Sequence, residues 1–184
     1  MIVVDANLVA FYLIEGKRTT EANALREKDG EWLVPVFWSV EFQSVLWKYV
    51  RFNGMPMGKA LELLDEALTM FSANEVTPPP DVVLRDAINW GITVYDAQYA
   101  SLAKQFGIRC VTEDVPVQKA CPAVAVSLDA FLKGSPSSGM VRESRAPYRT
   151  RKGRYRPFFM IVADEKKPPD VALERIAPNA PMEE

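Results

Sequence analysis

Residues 95–114 read YDAQYASLAKQFGIRCVTED, and this stretch decides the fold. Tyr95 and Asp96 open a helix in which Tyr99, Leu102, Ala103 and Phe106 fall on one inward face. Gly107 closes it, since glycine adopts the left-handed conformation that ends helices. Ile108-Arg109-Cys110-Val111-Thr112 follows at once as a strand, and the strand runs into two acids, Glu113 and Asp114. The same alternation extends outward. Ile2-Val3-Val4 is a short β-branched run ending at Asp5. Residues 8–14 suit a buried helix closed near Gly16, Thr19 or Thr20 can cap a second helix through about Glu27, and Asp29-Gly30 is a turn. Residues 32–36 are the next strand, with Pro35 late or at an edge. Residues 40–52 are helical, with Phe42, Val45, Leu46, Tyr49 and Val50 on one stripe, Glu41 in the first turn and Asn53-Gly54 as the stop. A further amphipathic helix runs from Ala60 to Phe71, and Pro78-Pro79-Pro80 breaks the chain. Asp81 then caps a helix carrying Val83, Leu84, Ala87 and Ile88 that Gly91 ends. A short helical piece at 117–120, a strand at 124–126 and a closing turn at 128–132 complete the pattern. Strands alternating with helices specify an α/β domain on a mostly parallel sheet.

The composition narrows the chemistry. Of 184 residues, 48% are apolar, enough for a core, and the formal net charge is −2, which removes the argument from a strongly basic whole chain. There is no histidine. Ser-His-Asp and Cys-His catalysis, histidine zinc sites and imidazole acid–base chemistry are therefore excluded. Any catalysis must use carboxylates, metal ions, Lys, Tyr, Ser or Cys. The two cysteines, Cys110 and Cys121, are too few for a zinc site or a disulfide scaffold and read as ordinary half-buried thiols in a reducing compartment. The N-terminus lacks the pattern of a signal peptide and no apolar run is long enough to span a bilayer, so the expected setting is cytoplasmic, with no membrane partner.

In an open parallel sheet, ligands sit at the carboxyl ends of the strands. Asp5 and Asp114 are placed there, and Glu41 and Asp96 stand at helix N-termini. Each has a simple alternative explanation, as a turn acid, a first-turn acid or an N-cap. Together they can meet in one crevice. Clustered carboxylates raise one another's pKa, and a divalent cation relieves the repulsion. Oxygen-only ligands select Mg²⁺ or Mn²⁺, and phosphate-ester hydrolysis is the chemistry that uses such a set most directly.

IVVDANLVA at residues 2–10, the acid in WSVEFQSVL at 38–46, TVYDAQYASLAKQFG at 93–107, and IRCVTEDVPVQKA at 108–120 before VAVSL at 124–128 resemble the PIN-domain family, and within it the VapC-like ribonuclease toxins. The resemblance covers roughly residues 1–132 and is most specific in the segment from Tyr95 to Asp114. It implies a three-layer α/β/α fold with a five-stranded sheet, and a Mg²⁺ site built from Asp5, Glu41, Asp96 and Asp114. It further implies that Asn7 orders the first loop and that Thr112 supports the acids; Glu113 has no assigned role. The implied activity is cleavage of single-stranded RNA to a 3′-hydroxyl and a 5′-phosphate. The implied partners are a small antitoxin and, commonly, a second copy in a homodimer. A PIN nuclease of RNA processing without an antitoxin, or a non-catalytic binding module, would share the same residues. A haloacid-dehalogenase phosphatase needs a second Asp where this chain has Asn7, and a response-regulator receiver needs paired acids after the first strand and a Lys after the last strand, which this chain lacks.

The charge is uneven. Residues 1–133 carry 12 basic and 17 acidic side chains, net −5, and residues 134–184 carry 10 and 7, net +3, with half of the 14 prolines. Gly134-Ser135-Pro136-Ser137-Ser138-Gly139 has linker composition, so a nuclease-like domain over 1–133 and a basic, Pro-rich extension over 134–184, expected to be flexible, are the two parts. In the extension, Arg142, Arg145, Arg149, Arg151, Lys152, Arg154 and Arg156 are interleaved with Tyr148 and Tyr155. This suits an RNA-tethering arm, but the composition favours an unstructured tail with incidental affinity for polyanions. Lys48, Arg51 and Lys119 are basic candidates near the cleft that read by default as solvated charges, and Trp38, Phe42 and Trp47 could build a dimer or antitoxin surface but read chiefly as core.

Overall fold

In the computed structural model, residues 1–134 are described; the basic segment 142–156 and the rest of the extension from 135 onward lie outside the described residues. Five short strands, β1 (Ile2–Val4), β2 (Trp32–Pro35), β3 (Glu75–Val76), β4 (Cys110–Val111) and β5 (Ala125–Val126), form one sheet in the order β3-β2-β1-β4-β5. Every pairing is parallel. The strand next to β1 is β2 on one side and β4 on the other, so the winding reverses between β1 and β4. That is the topological switch point, where the connections leave in opposite directions and a crevice opens beyond the strand ends.

The helices between the strands are α1 (Ala6–Leu13), α2 (Thr19–Lys28), α3 (Trp38–Phe52), α4 (Met57–Phe71), α5 (Pro80–Trp90), α6 (Val94–Phe106), α7 (Val115–Ala120) and α8 (Leu128–Leu132). Helices α1 to α4 pack on one another, whereas α5 packs on α6, and α6 lies along β1, β2 and β4. The expected three-layer arrangement results. β1 is buried over its whole length, as a central strand covered on both faces must be. Trp32, Trp38, Phe42 and Phe71 are fully buried and fill the main core with Leu8, Leu25, Leu102 and Val111. Trp38 and Phe71 meet at 4.9 Å between ring centroids. α5 is fixed to α6 by the buried Asp86, which accepts from Ser101 Oγ at 3.0 Å and Lys104 Nζ at 2.6 Å.

Five local features differ from the sequence reading. The first helix begins at Ala6 because Asp5 caps it. Asp81 is not a cap: α5 starts at Pro80, whose missing N–H costs nothing in a first turn, and Asp81 lies inside that turn. Thr93, not Asp96, caps α6. β3 is a strand that residue patterning does not reveal, since two half-buried residues, one of them charged, carry no apolar run; it exists because Val34 and Pro35 of β2 pair with it. The closing segment at 128–132 is a one-turn helix capped by Ser127. Both cysteines are free and buried. Trp38 and Phe42 are core residues, whereas Trp47 is 59% exposed.

Candidate active site

A cleft of about 260 Å³ lies over the switch point, and Asp5, Asn7, Glu41, Asp96, Thr112 and Asp114 all line it. Residues far apart in sequence are brought together by topology. Asp5 follows β1, Thr112 and Asp114 follow β4, and the first turns of α3 and α6 deliver Glu41 and Asp96.

Asp5 is the most constrained. It is 7% exposed, accepts the Leu8 N–H at 2.9 Å on Oδ1 and the Thr112 hydroxyl at 2.5 Å on Oδ2. Burial raises its carboxyl from 3.8 to about 6, and the hydrogen bonds from Thr112 and from backbone N–H groups restrain a larger rise. Thr112 in turn accepts the Asp114 N–H at 3.0 Å. One buried hydroxyl thus couples the acid after β1 to the loop after β4. Asp114 caps α7, accepting the Val117 N–H at 2.8 Å on Oδ1. Asp96 accepts from the Thr93 hydroxyl at 2.6 Å while its own N–H donates to that oxygen at 3.2 Å, a reciprocal cap at the start of α6.

Glu41 is held by Tyr99, whose hydroxyl donates to Oε2 in a short hydrogen bond. Its carboxyl is raised from 4.5 to about 7, first by burial and then by the charges of Asp5 and Asp96, against the lowering effect of the Tyr99 bond. Burial and the Glu41 charge push the Tyr99 phenol well up, so it serves as a donor. Cys110 also lines the cleft, but burial and the neighbouring Asp5 charge push its thiol well up, which makes it a poor nucleophile.

Tyr99 was not singled out by the sequence as a site residue, and of the three basic candidates near the cleft only Lys48 lines it. The helical stripe placed Tyr99 inward without revealing that its hydroxyl reaches an acid 58 positions away. Lys48 lies seven residues after Glu41, and with Ser44 and Val45 it completes an i, i+3, i+4, i+7 stripe along the cleft. That spacing was available in the sequence. Glu113, adjacent to Asp114, points elsewhere: it accepts the Leu128 N–H at 2.9 Å and stands 3.5 Å from Arg18 Nη1. Arg51 and Lys119 are exposed and do not line the cleft.

The donor set suits a hard divalent cation. It is all oxygen and anionic, and among the described residues none of the four acids forms an ion pair. As the side chains stand, no three carboxylates among the described residues converge tightly enough to enclose a metal ion by themselves. Mg²⁺ does not require that, because it usually keeps several waters and takes one or two carboxylates directly.

No family model matches the sequence. The chain is 29% identical over 127 residues to Ribonuclease VapC3 of Pyrobaculum aerophilum, an alignment covering 67% of this chain and 96% of that protein. It is 39% identical over 74 residues to Exonuclease VapC9 of the same organism, covering 40% of this chain and 55% of that one. The structure is similar to the crystal structure of PAE2754 from P. aerophilum, with a TM-score of 0.57, 24% identity, and coverage of 72% of this chain and 93% of that one. With an all-parallel 3-2-1-4-5 sheet and four carboxylates gathered over its switch point, the chain has a PIN-like fold and is similar in sequence to the VapC nucleases.

Proposed function

We propose that this protein is a divalent-metal-dependent ribonuclease that hydrolyses phosphodiester bonds in single-stranded RNA, and that it is the toxin half of a toxin–antitoxin pair. The observation that carries this reading is the set of four carboxylates lining one cleft at the sheet's switch point, with Lys48 as the one basic side chain in that lining. An acidic cleft cannot attract a phosphodiester unaided, but it is suited to a cation that can. The names of the two VapC relatives support the nuclease class. An antitoxin carrying an Arg or Lys into the cleft would be attracted by the same field. As family resemblance implies, the working form is a homodimer.

Asp5, Asp96 and Asp114 would hold Mg²⁺ or Mn²⁺, with Glu41 direct or through water. When bound, the ion acidifies a water and offsets charge on the phosphoryl oxygens. Within the chain, Thr112 fixes Asp5 and the Asp114 loop relative to each other, and Thr93 fixes Asp96. In the metal-free cleft burial and the charges of Asp5 and Asp96 raise the Glu41 carboxyl to about 7, and one carboxylate of this set would take the water's proton. In the reaction the water oxygen bonds to phosphorus and the bond to O3′ breaks. One water proton passes to the acid group and onward to the leaving oxygen, yielding a 3′-hydroxyl and a 5′-phosphate.

The decisive assay incubates the purified full-length chain with mixed cellular RNA, with Mg²⁺, with chelator, and as Asp96→Asn. Cutting that requires the metal and is lost in Asp96→Asn supports the assignment. Equal cutting by Asp96→Asn refutes it. Substrates blocked at the 3′ end separate internal cleavage from the end-directed activity suggested by the name of VapC9.

A further inference from the structure

The cleft has one cation among its acids. Lys48 sits two turns along α3 from Glu41 and shares the lining stripe with Ser44 and Val45. Several other basic side chains of the domain are engaged elsewhere, and Arg51 and Lys119 do not line the cleft. Arg18 pairs with Asp129 and Glu113, and Lys104 with Asp86. Lys28 donates to the carbonyls that end α8, Arg109 donates to the Ala123 carbonyl, and Arg26 lies over Trp32. Lys48 is exposed and has no ion pair among the described residues, although four carboxylates line the same cleft. A lysine retained solely to neutralise these acids would be expected to touch one of them. A long, flexible stem ending in a point charge at the rim is instead suited to an anion that arrives from solvent.

From this placement we infer that Lys48 is a substrate-positioning residue: its ammonium contacts a phosphate of the bound RNA strand next to the one being cut, and so sets where the strand lies relative to Glu41 and Asp5. The inference rests on the ribonuclease reading above. Its contribution is to binding and register, because a group seven residues along the helix from Glu41 is displaced from the acids by about 10 Å of helix rise.

The test uses the full-length chain as wild type, Lys48→Ala and Lys48→Arg. Steady-state cleavage of a single-stranded RNA oligonucleotide with Mg²⁺ is measured first. Lys48→Ala should raise KM about tenfold, the scale of one charged hydrogen bond, and change kcat less than threefold. Lys48→Arg should restore KM to within about threefold, since charge alone suffices for a phosphate contact. Binding of the same oligonucleotide is then followed against salt in an Asp96→Asn background, which needs no turnover. Loss of one phosphate contact should flatten the slope of log K against log salt by about 0.7. An unchanged KM and an unchanged slope overturn the inference, as does a fall in kcat at constant KM. A change confined to thermal stability or to metal affinity also overturns it, since that is the signature of a counter-charge for the acids. Failure of the wild type to cut RNA would refute the ribonuclease reading by itself, while an unchanged slope would refute the role of Lys48 by itself.

Discussion

Asp5→Asn is expected to make the metal-free protein more stable at pH 7.5 while destroying its activity. Asp5 is buried, and its carboxyl is raised from 3.8 to about 6. A carboxyl whose folded value is raised favours the fold fully below its unfolded value, and that contribution is lost as pH rises from 3.8 through about 6. The difference between those values corresponds to about 3 kcal/mol of stability withheld at neutral pH. Asparagine has the same shape without the charge. Its oxygen can accept from only one of the two groups that now donate to Asp5, Leu8 N–H and the Thr112 hydroxyl, which costs about 1–2 kcal/mol. The net gain is about 1–2 kcal/mol, a rise of roughly 3–8 °C in Tm for a domain of this size. Removing the Asp5 charge also relieves Glu41, which it raises, so the gain is not smaller for that coupling. Differential scanning calorimetry with chelator at pH 7.5 and pH 4 measures it. The advantage should shrink or reverse at pH 4, where the folded wild type is itself protonated. An Asn variant that is less stable than wild type at pH 7.5, or a difference independent of pH, would refute the idea that Asp5 is held against its own charge.

Two further substitutions probe the neighbours. Tyr99→Phe removes the donor that lowers the Glu41 carboxyl, so in the metal-free protein Glu41 should titrate above about 7 by carboxyl NMR, while Tm falls by only a few degrees. Glu113→Ala removes the acceptor for the Leu128 N–H and a partner of Arg18, and should cost about 1–2 kcal/mol in chemical denaturation with cleavage otherwise retained.

Much of the site was legible because the physics that builds it is local. A strand that ends in an acid points that acid beyond the sheet edge, and both Asp5 and Asp114 obey this rule. Glu41 was correctly placed in the first turn of its helix. Asp96 was open to reading as a cap, and the structure shows why the residue type misleads. Thr93 supplies the cap oxygen and Asp96 returns the bond as its reciprocal member, so a carboxylate at that position serves the helix and still lines the cleft. What the sequence did not carry was non-local. β3 has no apolar signal of its own and is recruited by the edge of β2. The partnership of Tyr99 with Glu41 joins α6 to α3, and no periodicity within either helix reveals it. Glu113 had no role assigned from the sequence; successive residues after a strand diverge, and it turns to Arg18 and the start of α8.

The cleft is therefore stabilised around a charge pattern that opposes its own folding. Thr112 donates a hydroxyl to Asp5 and Tyr99 one to Glu41, and these are hydrogen bonds that favour the ionised form. In Asp5 and Glu41 those bonds do not overcome burial, since both remain raised. A fold selected only for stability would resolve this with a neutral residue at position 5 or an ion pair at position 41, and the protein does neither. It does make such a pair elsewhere: Asp86, equally buried, is matched by Lys104 and Ser101. The acid at the α5–α6 interface has a cationic partner and those at the switch point have none among the described residues, a contrast that fits the proposed cation site. The same contrast sets a measurable consequence, because added Mg²⁺ should raise the Tm of the wild type and do so far less for Asp5→Asn.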